Sequence, residues 1–107
     1  MPSVCDGVDF TRLGREWRCK WSNDNDKASL KAVQALALQY VPAIKALPGF
    51  VSVQRIVCGS CNDFKLIFTF EEAAFGDLPG ETQFLQACAA VNGVTAVETQ
   101  TYTISEM

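Results

Sequence analysis

Apolar and polar residues alternate along two stretches of the chain, which predicts strands with one buried face. From Glu16 to Ser22 and from Phe64 to Glu71, every second residue is apolar or aromatic. Residues 50–58 are rich in β-branched side chains, which favours a further strand there. Residues 94–104 predict a last strand that is long and rather polar. The pattern therefore indicates four strands.

Two other segments carry apolar residues at helical spacing. The first follows the capping residues of 22–26 and extends to Leu47, with its apolar positions in one stripe. Pro42 lies inside this segment and is expected to kink or split the helix, because proline has no N–H to donate. The second helix is predicted over Glu81–Val91, with Phe84 and Cys88 on its buried face.

One motif occurs twice, at 45–54 and at 89–98. Each copy reads as a helix end, a glycine stop and a β-rich run, and Gly49 aligns with Gly93. The order strand, helix, strand, strand, helix, strand predicts a ferredoxin-like α+β sandwich. Its four-stranded antiparallel sheet has strands 1 and 3 in the centre and both helices on one face. We expect one domain over 15–107, preceded by an N-terminal arm over 1–14.

Composition removes several classes of function. The net charge of −3 argues against a nucleic-acid partner, which needs a clustered basic face. No apolar stretch approaches the roughly 20 residues that span a membrane, and residues 1–13 lack a secretory signal. The five cysteines are odd in number and scattered, which favours reduced thiols and a cytoplasmic location. Histidine is absent, and with it the commonest general base and metal ligand.

Two helices cover only one face of such a sheet, and the other face is expected to carry three cations. Strand alternation places Arg18, Lys20 and Lys65 there. In a closed site these charges need a counter-charge. An anionic ligand would supply it, and so would Glu16 or Glu98. The alternative is an ordinary solvated or ion-paired sheet face.

Four segments, 16–21, 46–49, 51–53 and 94–99, resemble the dimeric α/β-barrel superfamily. They are similar to the stress-responsive A/B barrel proteins and, more weakly, to the effector domains of Lrp/AsnC regulators. The resemblance covers about 16–104 and consists of apolar and turn positions. It implies a homodimer whose two sheets enclose a lumen. Members of the superfamily include ligand-binding modules, cofactor-free monooxygenases and polyketide cyclases, and several of the enzymes use a lumen histidine that this chain lacks.

From this resemblance we expect a dimeric barrel that binds a small organic ligand, anionic or polar-aromatic, in a partly cationic lumen. Arg18, Lys20 and Lys65 would hold an anionic group, while Gln54 and Ile67 would line the wall. No cofactor is expected.

Two other functions stay open at this point. The first is a cofactor-free enzyme of the polyketide-cyclase or monooxygenase type, with Tyr102 or Lys65 as acid or base. The second is a structural or regulatory interaction module without a pocket.

The sequence Cys58-Gly59-Ser60-Cys61 is a candidate metal site. A C-x-x-C across a predicted hairpin resembles one half of a zinc knuckle. The other cysteines are isolated, so Cys58 and Cys61 would need a second hairpin from a dimer to complete a four-thiolate site. The motif also lacks the helix N-terminus that activates redox cysteines. The alternative is a pair of turn cysteines that are unpaired or merely oxidised.

Overall fold

A computed structural model describes residues 2–107 and confirms the predicted order of elements. The elements are β1 (Arg12–Lys20), α1 (Asp24–Lys45), β2 (Phe50–Cys58), β3 (Asp63–Glu71), α2 (Glu81–Ala89) and β4 (Thr95–Ile104), with a short 3₁₀ turn at Glu72–Ala74. The strands form one antiparallel sheet in the order β2-β3-β1-β4. Strands β1 and β3 are central, as predicted, and the fold is the ferredoxin-like α+β fold.

The repeated motif corresponds to two copies of one structural unit. Helix α1 ends at Lys45 and α2 ends at Ala89, and in each case a glycine follows four residues later. Gly49 and Gly93 have φ values of 79° and 95°, in the left-handed region that glycine enters without steric penalty. Each turn directs the chain from a helix into an edge strand of the sheet.

Aromatic residues of the central strands form the core between the sheet and the helices. Trp17 is fully buried, stacks on Phe84 of α2 at 4.8 Å between ring centroids, and meets Phe68 edge to face at 4.6 Å. Ile44 and Val33 of α1 are also fully buried. Each such side chain contributes roughly 1.5–3 kcal/mol when it leaves water. This layer accounts for one face of the sheet only.

The structure corrects the expectation for Pro42 and refines the one for the cap before α1. Helix α1 runs through Pro42 without a break, and its irregular turn lies instead at Asn25–Lys27, where φ is 54–59°. The missing N–H of Pro42 leaves one carbonyl, that of Leu38, without its helical donor. Leu38 is on the exposed side of the helix, so water can take that bond. Within the predicted capping segment the bond comes from Ser22, whose Oγ accepts the N–H of Asp24 at 3.0 Å, while the Asn23 side chain makes no capping bond.

The sheet extends further toward the N-terminus than the alternation indicated. Strand β1 begins at Arg12, four residues before Glu16, and it pairs along its whole length with β3. Residues 12–14 are therefore part of the sheet. Within 2–107, no helix combines the length and the apolar character needed to cross a bilayer.

Candidate functional site

The sheet face opposite the helices, here called the open face, collects the polar residues of the central strands. Side chains alternate along a strand, so the neighbours of the buried Trp17 and Phe68 lie on this face. The strand register arranges them in rows across the sheet. The rows are Ile56–Lys65–Arg18–Glu98, Gln54–Ile67–Glu16–Gln100 and Ser52–Thr69–Gly14–Tyr102.

The register places every predicted ligand-lining residue on this one face. Gln54 lies opposite Ile67, which shows the parity of β2, that is, which of its side chains lie on the open face. An irregularity between Phe50 and Ser52 sets that parity. Tyr102 of β4 lies opposite Gly14 of β1. The roles proposed for these residues are not determined by their location and stay predictions.

The three cations predicted for the open face, Arg18, Lys20 and Lys65, are all paired with carboxylates of the same chain. Lys20 Nζ lies 2.9 Å from Asp63 Oδ1, and Arg18 Nη2 lies 3.5 Å from the same oxygen. Arg18 Nε is 4.0 Å from Glu98 Oε2. The hydrogen bond from Lys20 holds the pKa of Asp63 below its usual range, so this carboxylate is charged at neutral pH.

Lys65 completes the set, with its Nζ 3.9 Å from Oε1 of Glu16. Three cations thus face three carboxylates, and the centre of the open face carries no excess positive charge. The sequence left two sources for the counter-charge of these cations, an anionic ligand and the chain's own acids. In the structure the acids supply it.

Glu16 is the most unusual residue of this face. Its side chain is 2% exposed although no helix covers it. The hydroxyl of Tyr102 donates a hydrogen bond to Oε2 at 2.8 Å. At 3.9 Å Lys65 is too far from Oε1 to form a hydrogen bond. In residues 2–107 no donor hydrogen-bonds to Oε1, so one oxygen of a buried carboxylate retains its full accepting capacity.

The bond between Tyr102 and Glu16 also fixes the state of the phenol. Accepting this hydrogen bond, the carboxylate raises the pKa of Tyr102 above its usual value. The phenol therefore stays protonated at neutral pH and acts as a donor. Sequence reasoning had treated Glu16 only as a possible counter-charge, although its alternation with Arg18 already placed it on this face.

Apolar side chains border the carboxylate. A Cβ on Gly14 would lie 2.7 Å from Cδ1 of Ile104 and 3.7 Å from Cγ2 of Ile67. The missing side chain therefore lets Ile104 lie close over Gly14, two residues along β1 from Glu16, and Ile67 lies opposite Glu16 itself. The site combines a buried carboxylate, a phenol, an ammonium group and an isoleucine wall, which suits a small molecule that is partly aromatic and bears hydroxyl groups.

Polar contacts on the opposite face of β1 hold the strand against α2. Arg15 donates to both carboxylate oxygens of Glu81, from Nη2 at 2.8 Å and from Nε at 2.9 Å. The indole N–H of Trp17 donates to Glu81 Oε2 at 2.8 Å. The Arg15 hydrogen bonds lower the pKa of Glu81, and the Trp17 bond acts in the same direction. This cluster fixes the position of β1, and therefore of Glu16.

The candidate metal residues Cys58 and Cys61 form a disulfide at the β2–β3 turn. In this form neither sulfur is a thiolate, the species that binds zinc. Within residues 2–107, no three or more cysteine, aspartate or glutamate residues are grouped as metal ligands. A metal role for the reduced pair stays a prediction. The turn lies beside the open face, since Lys20 Nζ donates to the Cys61 carbonyl at 2.9 Å.

Comparisons by sequence find no match, either to a family model or to a curated protein. Solved structures do match. A proposed antibiotic biosynthesis monooxygenase from Deinococcus radiodurans superposes with a TM-score of 0.67 at 18% identity, covering 89% of this chain and 94% of that one. SnoaB, a cofactor-independent oxygenase from Streptomyces nogalater, gives 0.63 at 16% identity, covering 91% and 96%. A proposed monooxygenase from Shewanella loihica gives 0.53 at 16% identity, covering 92% and 99%.

The chain shares its ferredoxin-like α+β fold with these proteins. The resemblance drawn from the sequence is thus confirmed at the level of the fold. Identities of 16–18% carry no residue role from those proteins to this chain. The fold alone leaves the function open, and the residues of the open face carry the evidence for it.

Proposed function

We propose that the protein is a homodimer whose two open faces pack together and bind a small organic molecule between them. The observation that carries the proposal is Glu16, a buried carboxylate with one unoccupied oxygen on a sheet face that no helix covers. Oε1 keeps a small contact with solvent, since Thr99 Oγ1 is the one fully buried side-chain polar atom without a partner in residues 2–107. A ligand hydroxyl can therefore reach this oxygen and donate to it.

Exposed apolar residues on the same face support dimerisation. Ile56 is 43% exposed and Tyr102 37%, on opposite edges of the sheet. A face that mixes such residues with charges commonly meets a partner. Fold similarity to the dimeric α/β-barrel proteins points to a second copy as that partner. The two Glu16 sites would then line one lumen.

The charge balance favours a neutral, hydroxylated aromatic ligand over the anionic one. An anion would have to displace Glu16, Asp63 or Glu98 from its cation. A phenolic hydroxyl needs no displacement, because it can donate directly to Glu16 Oε1. Ile67 and Ile104 would contact the ring. Of the two ligand classes expected from the sequence, anionic and polar-aromatic, we therefore propose the polar-aromatic one.

A cofactor-free enzyme is the second candidate, and the same carboxylate favours it. Glu16 would take a proton from a phenol or an activated C–H group, and the bonding electron pair would stay on the substrate as a phenolate or carbanion. Tyr102 and Lys65 would stabilise the negative charge. In an oxygenase, dioxygen would then accept the electrons. The likeness to SnoaB, a cofactor-independent oxygenase, supports this candidate at the level of the fold.

Native mass spectrometry and binding of a dihydroxyanthraquinone test the proposal. We expect a dimer that binds this probe, with Glu16→Gln weakening binding about tenfold, since each tenfold corresponds to about 1.4 kcal/mol. Glu72→Gln, outside the open face, is the matched control and should bind normally. A monomer, or a dimer whose Glu16→Gln variant binds as well as the wild type, would refute the proposal.

Dioxygen uptake with an anthrone separates the two candidates. Uptake that is lost in Glu16→Gln and retained in Glu72→Gln would establish the enzyme. Saturable binding without uptake would establish the binding protein. A monomer that binds neither compound would favour the interaction module.

A further inference from the structure

A groove runs between α1 and the edge strand β2, on the helix side of the sheet and away from the open face. Two adjoining depressions of about 370 and 330 Å³ form it, and they share Gln34 and Arg55. We call it the α1–β2 groove. Its apolar lining includes Leu30, Leu38, Val41, Val53, Val57 and Phe64.

The groove is shallow, because its walls are open to water. Leu38 is 67% exposed and Val57 41%. The helix-side residues of β2 stay partly uncovered, since Val53 is half-buried and Arg55 and Val57 are exposed. Pockets for small molecules usually enclose most of the ligand's surface. A shallow apolar groove is better suited to a polypeptide.

The outer edge of β2 can pair with another strand. In residues 2–107, β2 pairs with β3 and with no other strand. A free edge presents unpaired N–H and C=O groups, and an extended peptide can satisfy them by adding a strand. Its alternate side chains would enter the α1–β2 groove. A fatty-acid-like amphiphile would fill the groove but leave this edge unpaired.

The charges of the groove indicate what the peptide carries. Arg55 is the sole charged residue of β2, and its Nη1 donates to the neutral Gln34 Oε1 at 3.0 Å. Lys31 of α1 also lines the groove and is already paired with Asp26, with its Nζ 2.9 Å from Oδ2. Among residues 2–107, no carboxylate lines either depression, although the whole chain has a net charge of −3. If the occupant places an acidic side chain opposite Arg55, the guanidinium exchanges its neutral partner, Gln34, for an ionic one.

Neither edge strand of a second copy provides that acid. The edge strand β4 carries threonines on its helix side, at 99, 101 and 103, and its Glu98 lies on the open face beside Arg18. Pairing of β2 with a second β2 would bring two Arg55 side chains to the same interface. We propose that the α1–β2 groove binds an extended apolar segment of another protein, with an acidic residue opposite Arg55, by strand addition to β2.

Hydrogen exchange of the whole protein with a designed peptide tests this. The probe is a blocked heptapeptide of alternating Val and Thr with Glu in the centre, and matched peptides carry Gln or Lys there. We expect the Glu peptide to bind and to slow amide exchange in β2, with at least tenfold weaker binding of the Lys peptide. Arg55→Glu should reverse this preference, and Arg12→Glu, at the far end of β1, should not.

Several outcomes would overturn the proposal. One is no binding of the Glu peptide at millimolar concentration. Others are equal binding of the three peptides, or a preference unchanged in Arg55→Glu. If β2 amides are already protected in a concentration-dependent manner without peptide, the edge pairs with a second copy. If dodecanoate binds and the Glu peptide does not, the groove is an amphiphile site. The proposal is independent of the open face, so Glu16→Gln should leave peptide binding unchanged.

Discussion

Removal of the Glu81 carboxylate should destabilise the fold more than its position near the surface implies. Glu81 accepts two hydrogen bonds from Arg15 and one from the indole N–H of Trp17. Trp17 is fully buried, so Glu81→Ala leaves its N–H without a partner, at a cost of about 1–3 kcal/mol. The Arg15 bonds are partly exposed to water and add about 1 kcal/mol together. We expect a loss of about 3 kcal/mol.

Glu81→Gln should cost less, because the amide can keep the better-placed bonds. If its oxygen takes the position of Oε2, it still accepts from Trp17 Nε1 and Arg15 Nε. Its NH₂ group then meets only Arg15 Nη2, at the former position of Oε1. The variant loses one of the two partly exposed Arg15 bonds, which corresponds to about 0.5 kcal/mol.

Chemical and thermal unfolding measure both losses. For a chain near 100 residues, 1 kcal/mol corresponds to about 4 °C in Tm, so Glu81→Ala should melt about 12 °C lower. Glu72→Ala is the control and should change stability by less than about 0.5 kcal/mol. Losses below about 1 kcal/mol in Glu81→Ala would refute the assignment of Trp17 and Arg15 to this carboxylate.

The same variants predict a pH dependence. The pKa of Glu81 is lowered in the folded protein, so the carboxylate contributes stability above its unfolded pKa, near 4.3, and this contribution is lost as the pH falls through the folded pKa. The stability difference between wild type and Glu81→Gln should therefore shrink in acid. A difference that stays constant from pH 7 to about pH 3 would contradict the lowered pKa.

Three shorter predictions follow from other parts of the structure. Gly80→Ala should cost about 2 kcal/mol in unfolding experiments, because φ is +81° and the new Cβ would meet a tyrosine ring at 2.8 Å; Gly76→Ala, with open space around it, should cost little. Ultraviolet titration should place the pKa of Tyr102 above that of a free tyrosine, and Glu16→Gln should bring it back; an unchanged titration would remove the hydrogen bond between them. Thiol titration of the denatured, unreduced protein should find three thiols, rising to five after reduction, and five from the start would exclude the hairpin disulfide.

The sequence alone predicted the fold because local signals agree with one another. Alternation around Trp17 and Phe68 defined the buried face of the central strands, and the paired glycines at 49 and 93 marked both helix ends. These features depend on neighbours close in the chain, so they can be read without tertiary information. The predicted split of α1 at Pro42 was wrong, because it rested on a local penalty alone. Packing of the surrounding helix against the core, which includes Ile44, outweighs that penalty.

The sequence also determined which residues share the open face, since strand parity fixes the side on which Glu16, Arg18 and Lys65 lie. It did not determine how their charges pair. That depends on register between strands far apart in sequence, which brings Asp63 beside Lys20 and Tyr102 within reach of Glu16. Long-range register follows from the packing of the whole core, and tertiary structure alone therefore identified a half-satisfied carboxylate where the sequence indicated a cationic site.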